Sequence, residues 1–330
     1  MKRRRFWCMI LLLFVTAVMS CGIGRYPLAP EDLFRILSGG GDPMARDVLF
    51  KIRLPRLVFA GMSGCALAVA GMVYQELMRN PLVSPDILGV SGGACVGAVF
   101  AILAGQSALF VQGSALAGGI AAVALTVWLS GLIGRSGRIS LVLAGIVVKA
   151  LMDAVLMACK YFSDPTSQLV AIDYWMMGSF HAIHWSDVWL TLPIGAVSFL
   201  VLWLLRWKLQ ILSFGEEEAK SLGVPVKTVR YLAVGAATLL VASTVSVSGV
   251  VVWTGLIVPH MVRQLLGSNL KDHLGLCGCA GAVFMILMDT LARSLTAAEI
   301  PVSILTSAAG AVFLTVILIH RRCRGGEEIL

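Results

Sequence analysis

The sequence predicts an all-α integral membrane protein with about ten transmembrane helices. Hydrophobic residues make up 58% of the 330-residue chain and charged residues only 13%, whereas an ordinary soluble domain is about 25% charged. The apolar residues also occur in blocks long enough to cross a bilayer, which takes roughly 20 residues per helix. Composition and block length together exclude a soluble globular fold.

The apolar blocks place the candidate spans within one polytopic domain that covers residues 1–330. The first block follows a basic start, Met1 to Arg5, and could be a secretory signal. A first membrane helix with its basic end in the cytoplasm fits a polytopic protein better. Small residues crowd several blocks, as at Gly64 and Gly71, and allow close helix packing in lipid. The candidate spans are 6–23, 54–75, 87–105, 109–133, 140–161, 186–206, 229–248, 250–266, 273–293 and 302–320.

The net charge of +8 is explained by basic cytoplasmic loops, as the positive-inside rule describes, so nucleic acid is not expected as a partner. With the first span starting inside, alternate loops are basic and both termini are cytoplasmic. The exception is the first outer loop, which ends in Arg53-Leu-Pro-Arg56. From the residues alone, two interpretations stay open: the arginines reach lipid headgroups, or they form a docking surface for an acidic partner.

The longest polar interruption on the inner face lies at about 208–228. Glu216 to Glu218 suit the positive end of a short helix, which Gly223 closes and Pro225 prevents from continuing. A structured, charged loop on a membrane protein is typical of a binding site for a soluble partner. The chain lacks a G-x-x-x-x-G-K-[ST] phosphate loop, so an ATPase that drives transport must be a separate polypeptide.

The chain resembles the permeases of type II ABC importers, which handle iron–siderophore complexes, haem and cobalamin. The resemblance runs in family order from about residue 50 to 310, so it covers nearly the whole chain. In the last span this chain has Gly310-Ala-Val-Phe313 and Val302-Ser303 where the family usually has Gly-x-Pro and a glycine. The matching stretches are Arg53-Leu-Pro-Arg56; Gln75 with Arg79-Asn-Pro-Leu82, Pro85 and Leu88-Gly89; Tyr174-Trp-Met-Met-Gly178; Phe214-Gly215 through Ala219 to Leu222-Gly223; Thr254-Gly-Leu-Ile-Val-Pro-His260 with Arg263; Asp289 with Arg293; and Glu299-Ile-Pro301.

The resemblance implies a homodimer in the cytoplasmic membrane, with two copies of an ABC ATPase subunit below it and a periplasmic or lipid-anchored substrate-binding protein above it. It implies a transport permease without enzymatic activity or a cofactor. An iron(III)–siderophore complex is the favoured cargo, because that is the family's commonest task; haem, cobalamin and molybdate are the alternatives. The outer arginines Arg53, Arg56 and Arg293 would meet acidic residues of the binding protein. The ATPase-coupling residues would be Gly215, Glu216, Glu217, Glu218, Ala219, Lys220, Ser221, Leu222 and Gly223.

Ionisable residues inside the spans are costly and tend to face cavities or partners. Lys149 and Asp153 lie four residues apart in the fifth span, so they share a face and can pair. They either line the translocation path or form an internal ion pair without a cargo role. Asp289 and Arg293 are likewise one helical turn apart and can pair when no binding protein is docked. His181 and His184 could bind haem or a metal, although their interfacial setting is routine, and we assign no metal site to the chain.

Two other functions remain to be weighed. A secondary transporter driven by an ion gradient would need intramembrane carboxylates, for which Asp153 and Asp289 are the candidates, and would leave the inner loop unexplained. A membrane-embedded enzyme would need a convergent catalytic cluster, and the sequence contains no recognisable nucleophile motif.

Overall fold

The computed structural model describes residues 2–133, 137–267, 269–296 and 298–323, and every regular element in those residues is a helix. A π-helical segment, Val48–Arg53, and a short 3-10 turn, Pro85–Leu88, interrupt the α-helices. The α-helices are α1 (Lys2–Gly22), α2 (Pro30–Leu37), α3 (Pro43–Asp47), α4 (Leu54–Met78), α5 (Val90–Leu103), α6 (Ala108–Ile133), α7 (Gly137–Tyr161), α8 (Gln168–Met176), α9 (Trp185–Phe214), α10 (Glu216–Ser221), α11 (Val226–Ser248), α12 (Thr254–Leu266), α13 (Leu270–Ser294) and α14 (Val302–Cys323).

Ten of these helices correspond to the ten predicted spans. In the part of the chain that the structure describes, α4, α6, α7, α9, α11 and α13 are long and apolar enough to cross a membrane. The apolar stretches of α1, α5 and α14 are shorter, and α12 has 13 residues. The predicted all-α membrane fold is confirmed. Helix α9 continues to Phe214, eight residues past its predicted end, so the first residues of the predicted inner loop are helical.

Glycines set the closest helix crossings in the core. A Cβ atom on Gly64 of α4 would lie 2.1 Å from the carbonyl oxygen of Gly281 in α13, and one on Gly71 would lie 1.8 Å from that of Gly255 in α12. Both distances are far inside van der Waals contact, so the backbones touch only because no side chain intervenes. The small residues of α4, which is the second predicted span, indicate this close packing.

Two irregular segments run inside the helical bundle, one before α5 and one before α12. Irregular backbone at membrane depth is tolerated where protein surrounds it and satisfies its polar groups. Gln75, buried in α4, donates from Nε2 to the carbonyl oxygens of Val83 at 3.1 Å and Gly255 at 3.4 Å. One glutamine amide thereby joins the segment before α5 to the first turn of α12.

The connection between α1 and α4 contains helices that the sequence analysis did not predict. Helices α2 and α3 and the π-helical segment enclose a small apolar cluster of Leu28, Ile36, Ala45 and Leu49. Asp42 caps α3 by accepting a hydrogen bond from the Ala45 amide at 3.2 Å. This connection packs at the end of the bundle where α1 ends and α4 begins.

Candidate functional site

A buried ionic cluster joins the end of α13 to the beginning of α4. Arg56 donates from Nε to Asp289 Oδ1 at 2.7 Å and from Nη1 to Glu299 Oε2 at 2.8 Å. Arg293 Nε lies 3.7 Å from the second oxygen of Asp289, and its Nη2 donates to the Ser20 hydroxyl at 2.7 Å. Asp289 therefore lies between two guanidinium groups, and the expected pairing of Asp289 with Arg293 is present.

The three arginines that the resemblance marks for docking lie together, and each has less than a tenth of its surface exposed. Arg53 donates to the last carbonyl groups of α1, including that of Gly22 at 3.2 Å. Arg293 also binds the end of α1 through Ser20. Their present partners are thus carboxylates and helix-end carbonyls of their own chain. A docking role for Arg53, Arg56 and Arg293 is not tested by this arrangement and stays a prediction.

A compact hairpin lies at the opposite end of the bundle, between α9 and α11. Its helix, α10, ends in a Schellman motif, in which the Val224 amide donates to the Ala219 carbonyl and the Gly223 amide to the Lys220 carbonyl, both at 2.9 Å. Gly223 has φ +75°, the left-handed conformation that this motif requires and that glycine adopts at little cost. The predicted short helix with Gly223 at its end is confirmed.

Charge pairs fix the hairpin to the helices beside it. Glu216 accepts a hydrogen bond from Arg230 of α11, and its carboxylate lies 3.7 Å from Arg138 Nε of α7. Ala219, the buried residue of α10 itself, is fully inaccessible to solvent. The hairpin is therefore held in one orientation relative to two long helices, so a force applied to it reaches them.

The free face of the hairpin is partly apolar. Phe214, the last residue of α9, and Leu222, just after α10, are each 68% exposed. Between them, Lys220 bonds Glu217 at 2.8 Å, and this hydrogen bond raises the pKa of Lys220. Two protruding apolar side chains flanking charged ones are typical of a protein–protein contact.

A charged stripe runs along α7. Lys149 Nζ binds Asp86 Oδ2 at 3.0 Å, and it interacts electrostatically with Asp153 at longer range. Asp86 Oδ1 also accepts from the Ser91 amide at 2.9 Å, in the first turn of α5. The segment before α5 places Asp86 beside α7. Asp86 is 63 residues from Lys149 in sequence, but hydrogen bonds from Lys149 and from the Ser91 amide hold its carboxylate in place. The expectation that Lys149 and Asp153 line the translocation path is not tested by this arrangement and stays a prediction.

His181 and His184 line a cavity of about 800 Å³ between the beginnings of α6 and α9 and the helix α8. His181 Nδ1 shares hydrogen bonds with the hydroxyls of Ser179 and Tyr174. His184 Nδ1 lies 3.9 Å from Asp187, whose carboxylate caps α9. In the described residues, no group of three or more His, Cys, Asp or Glu side chains could hold a metal ion.

A comparison with models of protein families identifies the family of this chain. Residues 11–320 match the model of the FecCD transport family. The chain belongs to this family. FecCD proteins are the permeases of ABC importers, and the chain is such a permease; the ATPase partner of a FecCD permease is a separate subunit.

Relatives of this FecCD chain match it over nearly its full length. The molybdate import system permease protein MolB of Haemophilus influenzae is 38% identical over 96% of this chain and 95% of its own. The hemin transport system permease protein HmuU of Yersinia pestis is 34% identical over 96% of both chains. A solved structure, an inward-facing conformation of a metal-chelate type ABC transporter, superposes with a TM-score of 0.88 at 37% identity, covering 95% of this chain and 98% of that one.

Two features of this FecCD chain escaped the sequence analysis. One is Asp86, an acidic residue between Pro85 and Gly89 in an otherwise apolar stretch. The other is the pair of Arg263 in α12 with Glu76 in α4, 3.3 Å apart with both side chains largely buried. In each case an ionisable residue next to an apolar span indicated that a charged partner exists. The sequence could not identify that partner, because Lys149 lies 63 residues from Asp86 and Arg263 lies 187 residues from Glu76.

Proposed function

We propose that this FecCD permease carries an iron(III)–siderophore complex, or a similar metal chelate, inward across the cytoplasmic membrane. The observation that carries the proposal is the close match, at TM-score 0.88 over 95% of the chain, to a transporter described as metal-chelate type. Relatives named for hemin and for vitamin B12, at 34% and 36% identity, also handle metal-containing complexes. Such cargo crosses chemically unchanged, so the chain acts as a path and not as an enzyme.

Molybdate is the second candidate cargo. It is favoured by one specific observation, the 38% identity to a molybdate permease over 321 residues. A bare oxyanion is far smaller than a siderophore complex and carries no organic shell. The two candidates therefore differ in size and in hydrogen-bonding groups, and transport measurements separate them easily.

The permease works as a homodimer with two ATPase subunits in this proposal. The coupling hairpin, Gly215 to Gly223, enters a groove of each ATPase, with Phe214 and Leu222 as the apolar contacts. Its charge pairs with Arg230 and Arg138 support this role, because movement of the ATPase would be transmitted to α11 and α7. ATP binding closes the ATPase dimer, and the helices around the central path tilt.

The substrate-binding protein docks at the opposite end of the bundle, where Arg53, Arg56 and Arg293 lie. Arg56 already binds two carboxylates, which is the chemistry that an acidic docking partner would supply through bidentate contacts. The binding protein's carboxylates would have to replace Glu299, the more exposed of the two. Both termini of the permease lie in the cytoplasm, as the distribution of basic loops favours.

The proposal is tested by uptake into proteoliposomes that contain this chain and its ATPase. The binding protein would be offered loaded in turn with ferric siderophore, haem, cobalamin and molybdate. We expect ATP-dependent accumulation of the ferric siderophore and of no other cargo at a comparable rate. Accumulation of molybdate alone would replace the first candidate with the second, and accumulation of none of the four would refute both.

A further inference from the structure

An apolar cavity of about 480 Å³ lies between α1 and α9, beside α4, α11 and α13. Leu13 and Ala17 of α1 form one wall, and Ala196 and Phe199 of α9 form another. The cavity offers no free hydroxyl donor to a polar ligand. The hydroxyl groups in its lining donate to carbonyl groups of their own helices, and they belong to Thr191, Ser243 and Thr244.

The cavity lies well inside the membrane. Phe199 is the fifteenth of the 30 residues in α9, and Leu13 is the twelfth of the 21 in α1. Cavities with apolar walls stay dry and take up apolar ligands. The volume of this cavity is close to that of one lipid acyl chain, and acyl chains are the medium around these helices. An acyl chain is therefore the occupant that its chemistry and depth favour.

A row of aromatic side chains on α9 leads from this cavity toward the coupling hairpin. The Phe199 and Trp203 rings stack with their centroids 6.0 Å apart, and Trp207 follows one turn later. The row lies on a flat side of α13, because a Cβ atom on Gly275 would be only 3.1 Å from the Trp203 ring. Both tryptophans are exposed, as is usual where a helix leaves the bilayer. The cavity thus continues as a shallow aromatic groove to the membrane surface.

Two basic side chains lie over this groove. The guanidinium carbon of Arg206 is 4.1 Å from the centre of the Trp203 ring, and Nζ of Lys271 in α13 is 4.1 Å from the centre of the Trp207 ring. Arg206 uses Nη1 to bind the Trp203 carbonyl at 2.8 Å, which leaves most of its donors free. Among the residues that the structure describes, neither cation forms an ion pair with a carboxylate. Both can therefore bind an anionic group at the membrane surface.

The cations and the cavity are separated by a distance that one phospholipid spans. Arg206 follows Phe199 by seven residues, which is roughly 10 Å along the helix axis. A phospholipid holds its phosphate at the surface and its acyl chains below, in the same order. Basic pockets between membrane helices on the cytoplasmic side are known to bind anionic head groups. A soluble anion or an acidic protein segment could use the two cations but would leave the cavity empty.

We propose that this groove binds one anionic phospholipid, with its phosphate on Arg206 and Lys271 and one acyl chain in the cavity between α1 and α9. The lipid comes from the leaflet on the side of the coupling hairpin, which is the cytoplasmic leaflet in the orientation of the proposed function. The site itself depends neither on the cargo nor on the ATPase. Its chain fills the space between α1 and α9 and so completes the packing of α1 on the bundle.

The test is a titration of the purified full-length permease in neutral detergent with phosphatidylglycerol. Native mass spectrometry measures the dissociation constant of the first bound lipid. Phosphatidylcholine with the same acyl chains is the comparison, because its head group carries no net charge. We expect phosphatidylglycerol to bind roughly twentyfold more tightly, since each of the two cations should contribute about fivefold. Equal binding of the two lipids would overturn the proposal.

The head-group contact is tested with the double variant Arg206→Gln, Lys271→Gln. It should lose the preference for phosphatidylglycerol and keep its affinity for phosphatidylcholine. Lys208→Gln is the matched control: it removes a cation two residues from Arg206, on the opposite side of α9, and it should keep the preference. A preference that survives in the double variant would overturn the assignment of the phosphate to these two residues.

The acyl-chain contact is tested with Gly195→Leu in the cavity wall. No atom lies within 4 Å of a Cβ atom at this position, so the added side chain enters the cavity without a clash. We expect both lipids to bind roughly tenfold or more weakly, because methylene groups of the chain lose their burial. Gly235→Leu is the control, since Gly235 in α11 has equally open surroundings and is outside the cavity lining. An unchanged thermal midpoint in each variant separates lost binding from lost folding.

Unchanged lipid binding by the Gly195→Leu variant would overturn the proposal, since no chain would then occupy the cavity. Competition by glycerol 1-phosphate, which carries the phosphate without acyl chains, would identify a site for a soluble anion and would also overturn it. These results leave the proposed transport function untouched. A failure of cargo uptake, in turn, would not change the outcome of the lipid titration.

Discussion

Asp289 shows how strongly single residues determine the buried end of the bundle. Its two carboxylate oxygens face Arg56 and Arg293, and almost none of its side chain is exposed. Burying a charge is costly unless it is paired and hydrogen-bonded. Removing the central carboxylate would leave two buried guanidinium groups, one of which would keep only Glu299 as a charged partner.

We expect Asp289→Asn to destabilise the folded permease by about 3–5 kcal/mol, as breaking a buried pair does. Glu299→Gln is the matched control, because the Glu299 side chain is 29% exposed and Arg56 keeps Asp289; its cost should be about 1 kcal/mol or less. The apparent thermal unfolding midpoint in detergent measures both. Equal losses in the two variants would contradict the dominant role of Asp289.

Residue pairs could be predicted from sequence only when the partners were neighbours on one helix. The four-residue spacing correctly anticipated that Asp289 and Arg293 meet. The spacing of Lys149 and Asp153 did not reveal the carboxylate that binds Lys149 directly, because Asp86 arrives from a distant segment whose path the sequence does not show. The four-residue spacing shows which side chains can touch within one helix. It does not show which side chains from other segments of the fold compete for the same contact.

At the scale of elements, the coupling hairpin depends on both its shape and its exposed face. The Schellman motif at Gly223 and the ion pair of Glu216 with Arg230 fix the shape. Phe214 and Leu222 provide exposed apolar surface. A contact with the ATPase should therefore be lost when the apolar face is changed, even if the hairpin keeps its fold.

We expect Leu222→Glu to reduce co-purification of the ATPase at least tenfold while leaving the thermal midpoint of the permease unchanged, since the side chain is 68% exposed and anchors of this kind carry most of an interface's energy. Phe34→Glu makes the same kind of change at an apolar side chain that is 75% exposed in α2 at the opposite end of the bundle, and it serves as the control, with no expected loss. Normal co-purification of the Leu222→Glu variant would show that the hairpin's apolar face is not the contact.

Long elements were predictable, whereas among the short helices only α10 was predicted, from its acidic start and from Gly223 after its end. Blocks of about 20 apolar residues placed the spanning helices because the bilayer imposes that length. Helices α2, α3 and α8 are short, so no repeated apolar pattern marks them, and tertiary packing such as the cluster around Ile36 decides whether they form. The extension of α9 to Phe214 was missed because Arg206 and Lys208 suggested a membrane boundary, whereas a helix continues past the bilayer without cost.

At the scale of the whole molecule, the fold and family make the chain an ABC importer permease, while the energy source and cargo belong to the proposal. The main rival is a transporter driven by an ion gradient, for which Asp153 and Asp289 would be the ion-binding carboxylates. Asp289 is fully engaged with two arginines, which leaves little capacity to bind an ion. A free, structured hairpin is also unexplained in a transporter that needs no soluble partner.

The most direct measurement of the central claim is the energy dependence of cargo uptake by proteoliposomes that contain this chain, its ATPase and a loaded binding protein. We predict accumulation that requires ATP inside the ATPase-facing compartment, stops with orthovanadate and persists when ionophores collapse proton and sodium gradients. Uptake that continues without ATP and stops with the ionophores would contradict the account and favour the ion-coupled transporter.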